Sequence, residues 1–443
     1  MNELQVNADR EMLEQCIILS LLVNGRTTLN SFSKTESTEN LLKDLEAFGL
    51  SYKEVGSSLV LEGKGLQYKI PTILPGEHSK NAMILLFALA SRDENTRYAL
   101  FYKSKDLLKR DKKLLTQIAK AFIEEESETS LAFHFPNTFI LKKEHYESLY
   151  YLERNFALLS ALVKGDELFF EEKTVLKDSF TSMLVYFGAN IQYELYAPEA
   201  KTELERRLLK AKGMKSERSF KTHLKETKIL TAREYFVPGD STEALALTLT
   251  VLLSGALTKE TLIIPNVAIS QTRTSSFGML KRMGADIEIS SRRERYKEPY
   301  ANIQIKGLKD KRLQGGHFSG DSTGGSIEEI PLLALAACFA EKETIFHLSE
   351  KDVEENKEML ETLTFNLRET GAEVGLYEEG LVIRGKEELD AGDFDCKEFP
   401  LIGLTLSVLT ALLKVPVKIQ NMESTEKIFP NIISQMNFIC KKG

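Results

Sequence analysis

The ionisable residues that could do chemistry in this chain stand where polar turns meet oily helical runs. Asp240 follows Pro238–Gly239 and opens one such run, where its carboxylate can cap the free N–H groups of a first helical turn. Glu328 precedes the run that begins at Pro331, and an acidic side chain there complements the positive end of a helix dipole. Arg10 lies at the foot of the first apolar helix, and Lys427 stands after an acidic stretch and just before Phe429–Pro430. His78 and His317 fall in polar loops, and six histidines without ligand spacing argue against a metal site. Dense Lys and Arg between Tyr196 and Thr231 read as an anion-binding arm or as an exposed helical insertion with a solvated charged face; the insertion is favoured.

The bulk numbers bound what these residues could serve. A chain of 443 residues, 42% hydrophobic and 28% charged, has the core of two or three globular domains. Its net charge of -7 has no long block of one sign, so it fits no wide nucleic-acid footprint but leaves room for a basic pocket that takes a phosphorylated metabolite. Cys16, Cys338, Cys396 and Cys440 lie far apart without a CxxC, and the first two sit in apolar runs as small core residues of a reducing compartment. The first residues are too polar for a secretory signal, and no apolar run approaches the roughly 18–20 residues of a membrane span. These readings predict a cytoplasmic monomer with a small phosphorylated substrate and neither a nucleic-acid nor a membrane partner.

The elements that must position the ionisable groups are repeated. Six times an apolar helical run passes through a short polar turn into a strand-like run: Cys16–Phe32, Ala82–Tyr102, Phe156–Glu172, Leu245–Val267, Pro331–Leu348 and Leu404–Met422. A second half-motif, an amphipathic helix ending in Gly and then a strand, follows at Leu41–Val55, Met183–Tyr193, Met279–Ile289 and Asn366–Leu376. Gly49, Gly188, Gly284 and Gly371 fall just past the last turn, where a left-handed residue is needed. Copies without the Gly follow Leu114 and Phe429. Helices that are apolar nearly all round must be buried on most sides, so several units must pack helices inward and sheets outward. The predicted fold class is α/β: a two-lobed, inside-out barrel of six βαβαββ-like units, three per lobe.

Four segments then carry a resemblance. Val237–Leu253 (VPGDSTEALALTLTVLL) resembles a PGD-x-S-S-A segment, and Thr272–Ile289 (TRTSSFGMLKRMGADIEI) a TRTG…MGADIEI stretch. Ile327–Phe346 resembles IDEIPxLAxAAxFAEGxT, and Glu426–Ile432 a KxFP segment. Taken in this order, they resemble the enolpyruvyl transferase family, and within it the branch whose acceptor is shikimate 3-phosphate. The murein-precursor branch uses a loop cysteine, and this chain has none between Cys16 and Cys338.

The resemblance implies one lobe from residues 1–9 plus 239–443 and a second from 10–238. It also implies transfer of the enolpyruvyl group of phosphoenolpyruvate to a hydroxyl, with no cofactor and no metal. Two anionic substrates need converging cations, a carboxylate to take the hydroxyl proton, and a cation at the enol carbon. Carried over residue by residue, the general base falls on Glu328 and the KxFP lysine on Lys427. The first-unit lysine falls on Arg10, that segment's arginine on Gln15, and Lys80 is the cation near the phosphoenolpyruvate segment at Gly76–Ile84. Asp240 joins Arg10 and Lys80 as a substrate-binding candidate. The serine–glutamine pocket falls near Tyr150, Tyr151 and Leu152, a K-E-S/T-D-R motif on Glu355–Met359, and a D-H-R motif around Glu398–Pro400, each without its usual cations or hydroxyls. An inactive homologue with a binding or regulatory role, or a transferase for a different acceptor, therefore stands beside the enzymatic reading.

Overall fold

The computed structural model describes residues 2–94, 96–136, 151–172, 179–196, 219–255, 260–270, 273–308, 312–319, 327–413 and 417–441. The chain forms two compact units. One comprises Met1–Asp9, Ser33–Ser37 and Pro238–Gly443; the other comprises Arg10–Phe32 and Thr38–Val237. Each is α/β, and among the described residues each carries three sheets.

The oily runs form the helices, and burial follows their composition. Arg10–Leu21 is buried from Met12 onward, Lys80–Ala90 from Asn81 onward, and Ile330–Cys338 throughout. Ser241–Leu253 is buried at all but two positions. A helix with no polar face is stable only when surrounded, and here neighbouring helices and inner sheet faces surround it. The sheets carry the polar surface: Ser51–Val55 is exposed along its length, and Ile287–Arg295 has its one fully buried residue at Ile287.

One local topology recurs. A helix leads to a strand, a second helix and a hairpin, and the last strand of the hairpin inserts between the other two. Leu262–Ala268 pairs antiparallel with Glu298–Ile305, which pairs with Ile287–Arg295. Glu343–His347, Gly380–Arg384 and Glu373–Tyr377 repeat the order, as do Tyr98–Phe101, Ser130–His134 and Phe122–Glu126. A further strand adds in parallel at the edge: Asn2–Glu3 against Leu262–Ile263, and His317–Phe318 against Ile345–Phe346. In the first repeat that edge comes from far along the chain, where Leu230–Thr231 and Glu234–Phe236 pair in parallel with Val23–Asn30. The sixth repeat, around Pro400–Leu413, is shortened to a parallel pair, Phe394–Asp395 with Ile419–Gln420, and two short helices.

The glycines expected after the amphipathic helices do hold positive φ: 103° at Gly49, 100° at Gly188, 94° at Gly284 and 76° at Gly371. A different glycine requirement appears where a hairpin strand crosses the end of a buried helix. A Cβ on Gly63 would lie 2.0 Å from the Ser20 carbonyl oxygen, and one on Gly385 1.7 Å from that of Ala340. Only a residue without a side chain lets these backbones touch.

Cys16 and Cys338 are fully buried, and burial pushes both thiols up, that of Cys338 to about 12. Among the described residues no helix is long and apolar enough to cross a membrane.

Candidate functional site

In the unit that contains Pro238–Gly443, a polar cluster gathers where the chain leaves and re-enters. Gly239 forms a bridge with Ala8 on one side and Val267 on the other, Asp9 N donates to the Pro238 carbonyl at 2.8 Å, and Asp240 N donates to Asn7 O at 2.8 Å. These bonds set Asp240 at the start of the Ser241–Leu253 helix, where its Oδ1 accepts from Thr242 N at 2.8 Å and Glu243 N at 3.0 Å. Asp240 is thus the cap that its position after Pro–Gly predicts. Glu243, 2% exposed, accepts from Asn7 N at 2.8 Å and Asn7 Nδ2 at 2.9 Å. The Asp9 carboxylate meets the Arg273 guanidinium in a buried ion pair.

The second arm of this cluster is the turn Ile327–Glu329, which leads into the Ile330–Cys338 helix. Glu329 is buried and accepts from Thr242 Oγ1 and Ser276 Oγ, each at 3.4 Å. Glu328, its neighbour on the same turn, is half-buried. Lys427 lies on the Glu423–Ile428 helix and pairs with Glu36 at 3.1 Å, both about half exposed. Its segment reaches the cluster through Pro430, whose carbonyl accepts from Asn7 Nδ2 at 3.4 Å. The structure therefore gathers the neighbourhoods of Asp240, Glu328 and Lys427 around Asn7 and the Ser241 helix start.

In the unit that contains Thr38–Val237, the helices that the other two candidates open meet through a carboxylate that the sequence reading did not select. Arg10 opens its helix and is half-buried, while Lys80 opens the next buried helix and is exposed. Glu14, 4% exposed, accepts from Ser79 Oγ at 2.5 Å and from Asn81 Nδ2 at 3.4 Å. Ser79 also caps the Lys80 helix, accepting from Ala82 N at 3.1 Å. Burial pushes the Glu14 carboxyl above the usual carboxylate range, opposed by the Arg10 charge and the two hydrogen bonds. Gln15 completes the network: its Nε2 donates to Asn81 Oδ1 at 3.2 Å, and its Oε1 accepts from Ser179 Oγ at 3.4 Å. Tyr151 OH donates to Glu11 Oε1 at 3.4 Å.

At several of the remaining predicted positions the contacts are local. Asn356 Nδ2 donates to Asp352 O at 2.9 Å between two helices, Met359 is buried, and Phe399 N donates to Cys396 O at 3.0 Å ahead of the Pro400 helix. Tyr150 and residues 197–218 of the basic stretch lie outside the described residues. His78 is buried with its Nε2 2.8 Å from Asp44 Oδ2, and His317 is exposed. Among the described residues no group of His, Cys, Asp and Glu is arranged to hold a metal ion.

The profile of the family described as EPSP synthase (3-phosphoshikimate 1-carboxyvinyltransferase) matches residues 206–436, more than half of the chain. The chain belongs to the EPSP synthase family. Its curated relatives include the 3-phosphoshikimate 1-carboxyvinyltransferases of Petrotoga mobilis, 26% identical over 97% of this chain and 94% of that protein, and of Bacillus subtilis, 24% identical over 100% and 97%. Among solved structures, EPSP synthase from Acinetobacter baumannii superposes with a TM-score of 0.75 at 21% identity, over 99% of this chain and 95% of that one. The enolpyruvyl transferase NikO from Streptomyces tendae superposes with a TM-score of 0.64 at 15% identity, over 99% and 94%. The EPSP synthase family thus supplies the fold, and the six repeats predicted from the sequence are its architecture.

Proposed function

We propose that this member of the EPSP synthase family is an enolpyruvyl transferase, moving the enolpyruvyl group of phosphoenolpyruvate onto an acceptor hydroxyl and releasing phosphate. The observation that carries the reading is the Glu328–Glu329 turn. Glu329 is anchored by Thr242 and Ser276, which holds the half-buried Glu328 beside it at the mouth of a rigid, buried helix. In this reading Glu328 takes the proton of the attacking hydroxyl. Lys427 delivers a proton to the enol carbon or steadies the charge that develops there. Arg10 and Lys80 offset anionic groups of the substrates, and Asp240 organises the start of the Ser241–Leu253 helix.

The test is phosphate release from phosphoenolpyruvate with shikimate 3-phosphate as acceptor, with the product identified by mass. Turnover within about a hundredfold of a median enzyme's roughly 10 per second supports the reading. Absence of release, together with no rise in melting temperature from either substrate, points instead to a homologue that has lost catalysis. A second reading, transfer to a different acceptor, is supported by Gln15. It stands where the family pattern carries an arginine, and its amide is tied to Asn81 and Ser179.

A further inference from the structure

Lys427 sits in a closed circuit of contacts. Its helix, Glu423–Ile428, leads to Pro430, whose carbonyl accepts from Asn7 Nδ2 at 3.4 Å. The residue after Asn7, Ala8, donates its N–H to Ser33 Oγ at 2.6 Å. A few residues beyond Ser33, Glu36 opens the Glu36–Glu46 helix, and its carboxylate returns to Lys427 Nζ at 3.1 Å. Asn7 is itself fixed: its N and Nδ2 donate to Glu243, and its carbonyl accepts from Asp240 N. Ser33–Ser37 belongs by its contacts to the unit of Pro238–Gly443, although the chain before and after it belongs to the other unit. This strap is therefore pinned at Ser33 and again at Glu36.

Both side chains of the Glu36–Lys427 pair are about half exposed, so the pair adds little to stability. What it supplies is direction. An ammonium on a long flexible stem has many rotamers, and a carboxylate carried on a pinned strap selects the few that reach it. Lysine has more than one N–H to donate, so it can keep Glu36 and still meet a substrate. Resting on the transfer reading, in which Lys427 meets the charge that develops at the enol carbon, we propose that Glu36 and Ser33 are positioning residues that together fix where the Lys427 ammonium stands. Opening the circuit at either link releases Lys427 to the same degree.

Steady-state phosphate release from phosphoenolpyruvate with shikimate 3-phosphate tests this on the full chain. A misplacement of about 1 Å can cost roughly a hundredfold in rate, so a partial loss of aim should lower kcat by about five- to tenfold in Glu36→Gln and in Ser33→Ala alike. KM for both substrates should stay within about twofold, the mark of an interaction made only in the transition state. The double variant should lose no more than about tenfold, because both changes open one circuit. Glu36→Asp keeps the charge and should stay within about threefold of the parent. The melting temperature of Glu36→Gln should stay within about a degree or two of the parent, as for other exposed pairs. Unchanged or raised kcat in Glu36→Gln, or a double variant whose loss is the product of the two single losses, would each overturn the inference. If the parent itself releases no phosphate, the transfer reading fails and this inference falls with it. If the parent turns over and the variants match it, only this inference falls.

Discussion

Asp9 and Arg273, 264 residues apart in sequence, are joined in an ion pair whose side chains are 1% and 6% exposed. The pair fixes the last residue before Arg10 to the loop that precedes the Ser275–Arg282 helix, so one end of a predicted substrate-binding residue is clamped by a charge contact out of water. Arg273→Met should destabilise its unit by about 3–5 kcal/mol, because the carboxylate stays buried after its cation is removed. Combining it with Asp9→Leu should recover most of that loss. Urea midpoints of the two variants measure both effects.

Glu328→Gln keeps size and hydrogen bonding but removes the proposed base. Phosphate release should fall by about 100- to 10,000-fold. Since Glu328 is half-buried, the melting temperature should stay within a degree or two of the parent, about what a surface change of 0.5 kcal/mol produces. A fall in rate that tracks a fall in stability would remove Glu328 from the chemistry.

Asp240→Ala tests the cap by itself. It strips two backbone N–H groups of their acceptor and should cost about 1 kcal/mol. Asp240→Asn, which still accepts through its amide oxygen, should recover most of it in the same unfolding assay.

Much of this was legible beforehand, and the reasons are physical. Helices that are oily on every side leave one solution, so the six runs from Cys16 to Met422 announced the inside-out packing. The glycines at 49, 188, 284 and 371 announced the turns. The polar cluster around Glu14 stayed hidden because a glutamate inside an apolar run looks like a solvated residue. Its partners, Ser79 and Asn81, are 65 and 67 residues away, and only folding reveals them. Glu329 was similarly masked by Glu328: two adjacent carboxylates look alike in sequence, but only one of them faces Thr242 and Ser276.

The stability of the unit that contains Glu14 should depend on pH through that residue. Its folded pKa is raised from 4.5, chiefly by burial, so the folded state holds the proton more tightly than the unfolded chain. The stabilisation is complete below 4.5 and is lost as pH rises through the folded pKa. Buried Asp111, beside Arg110, is shifted in the same direction for the same reason. Glu14→Gln stays neutral throughout, so denaturant midpoints measured from about pH 4 to 8 should decline less steeply than those of the parent.

Thiol labelling separates the cysteines. Cys16, Cys338 and Cys396 are buried with thiols pushed up by burial, Cys396 to about 11, whereas Cys440 is half-exposed near the last helix end. A thiolate-seeking reagent should modify one cysteine in the native protein and all four in denaturant.

The parallel edge strands govern how this protein is born on the ribosome. The strand Val23–Asn30 emerges early, yet its neighbours Leu230–Thr231 and Glu234–Phe236 are made some two hundred residues later. Asn2–Glu3 waits longer still for Leu262–Ile263. At about 5–20 residues per second, the first sheet keeps an open edge for roughly ten to forty seconds of synthesis. During that interval the bare strand edge is a template on which another nascent chain can pair.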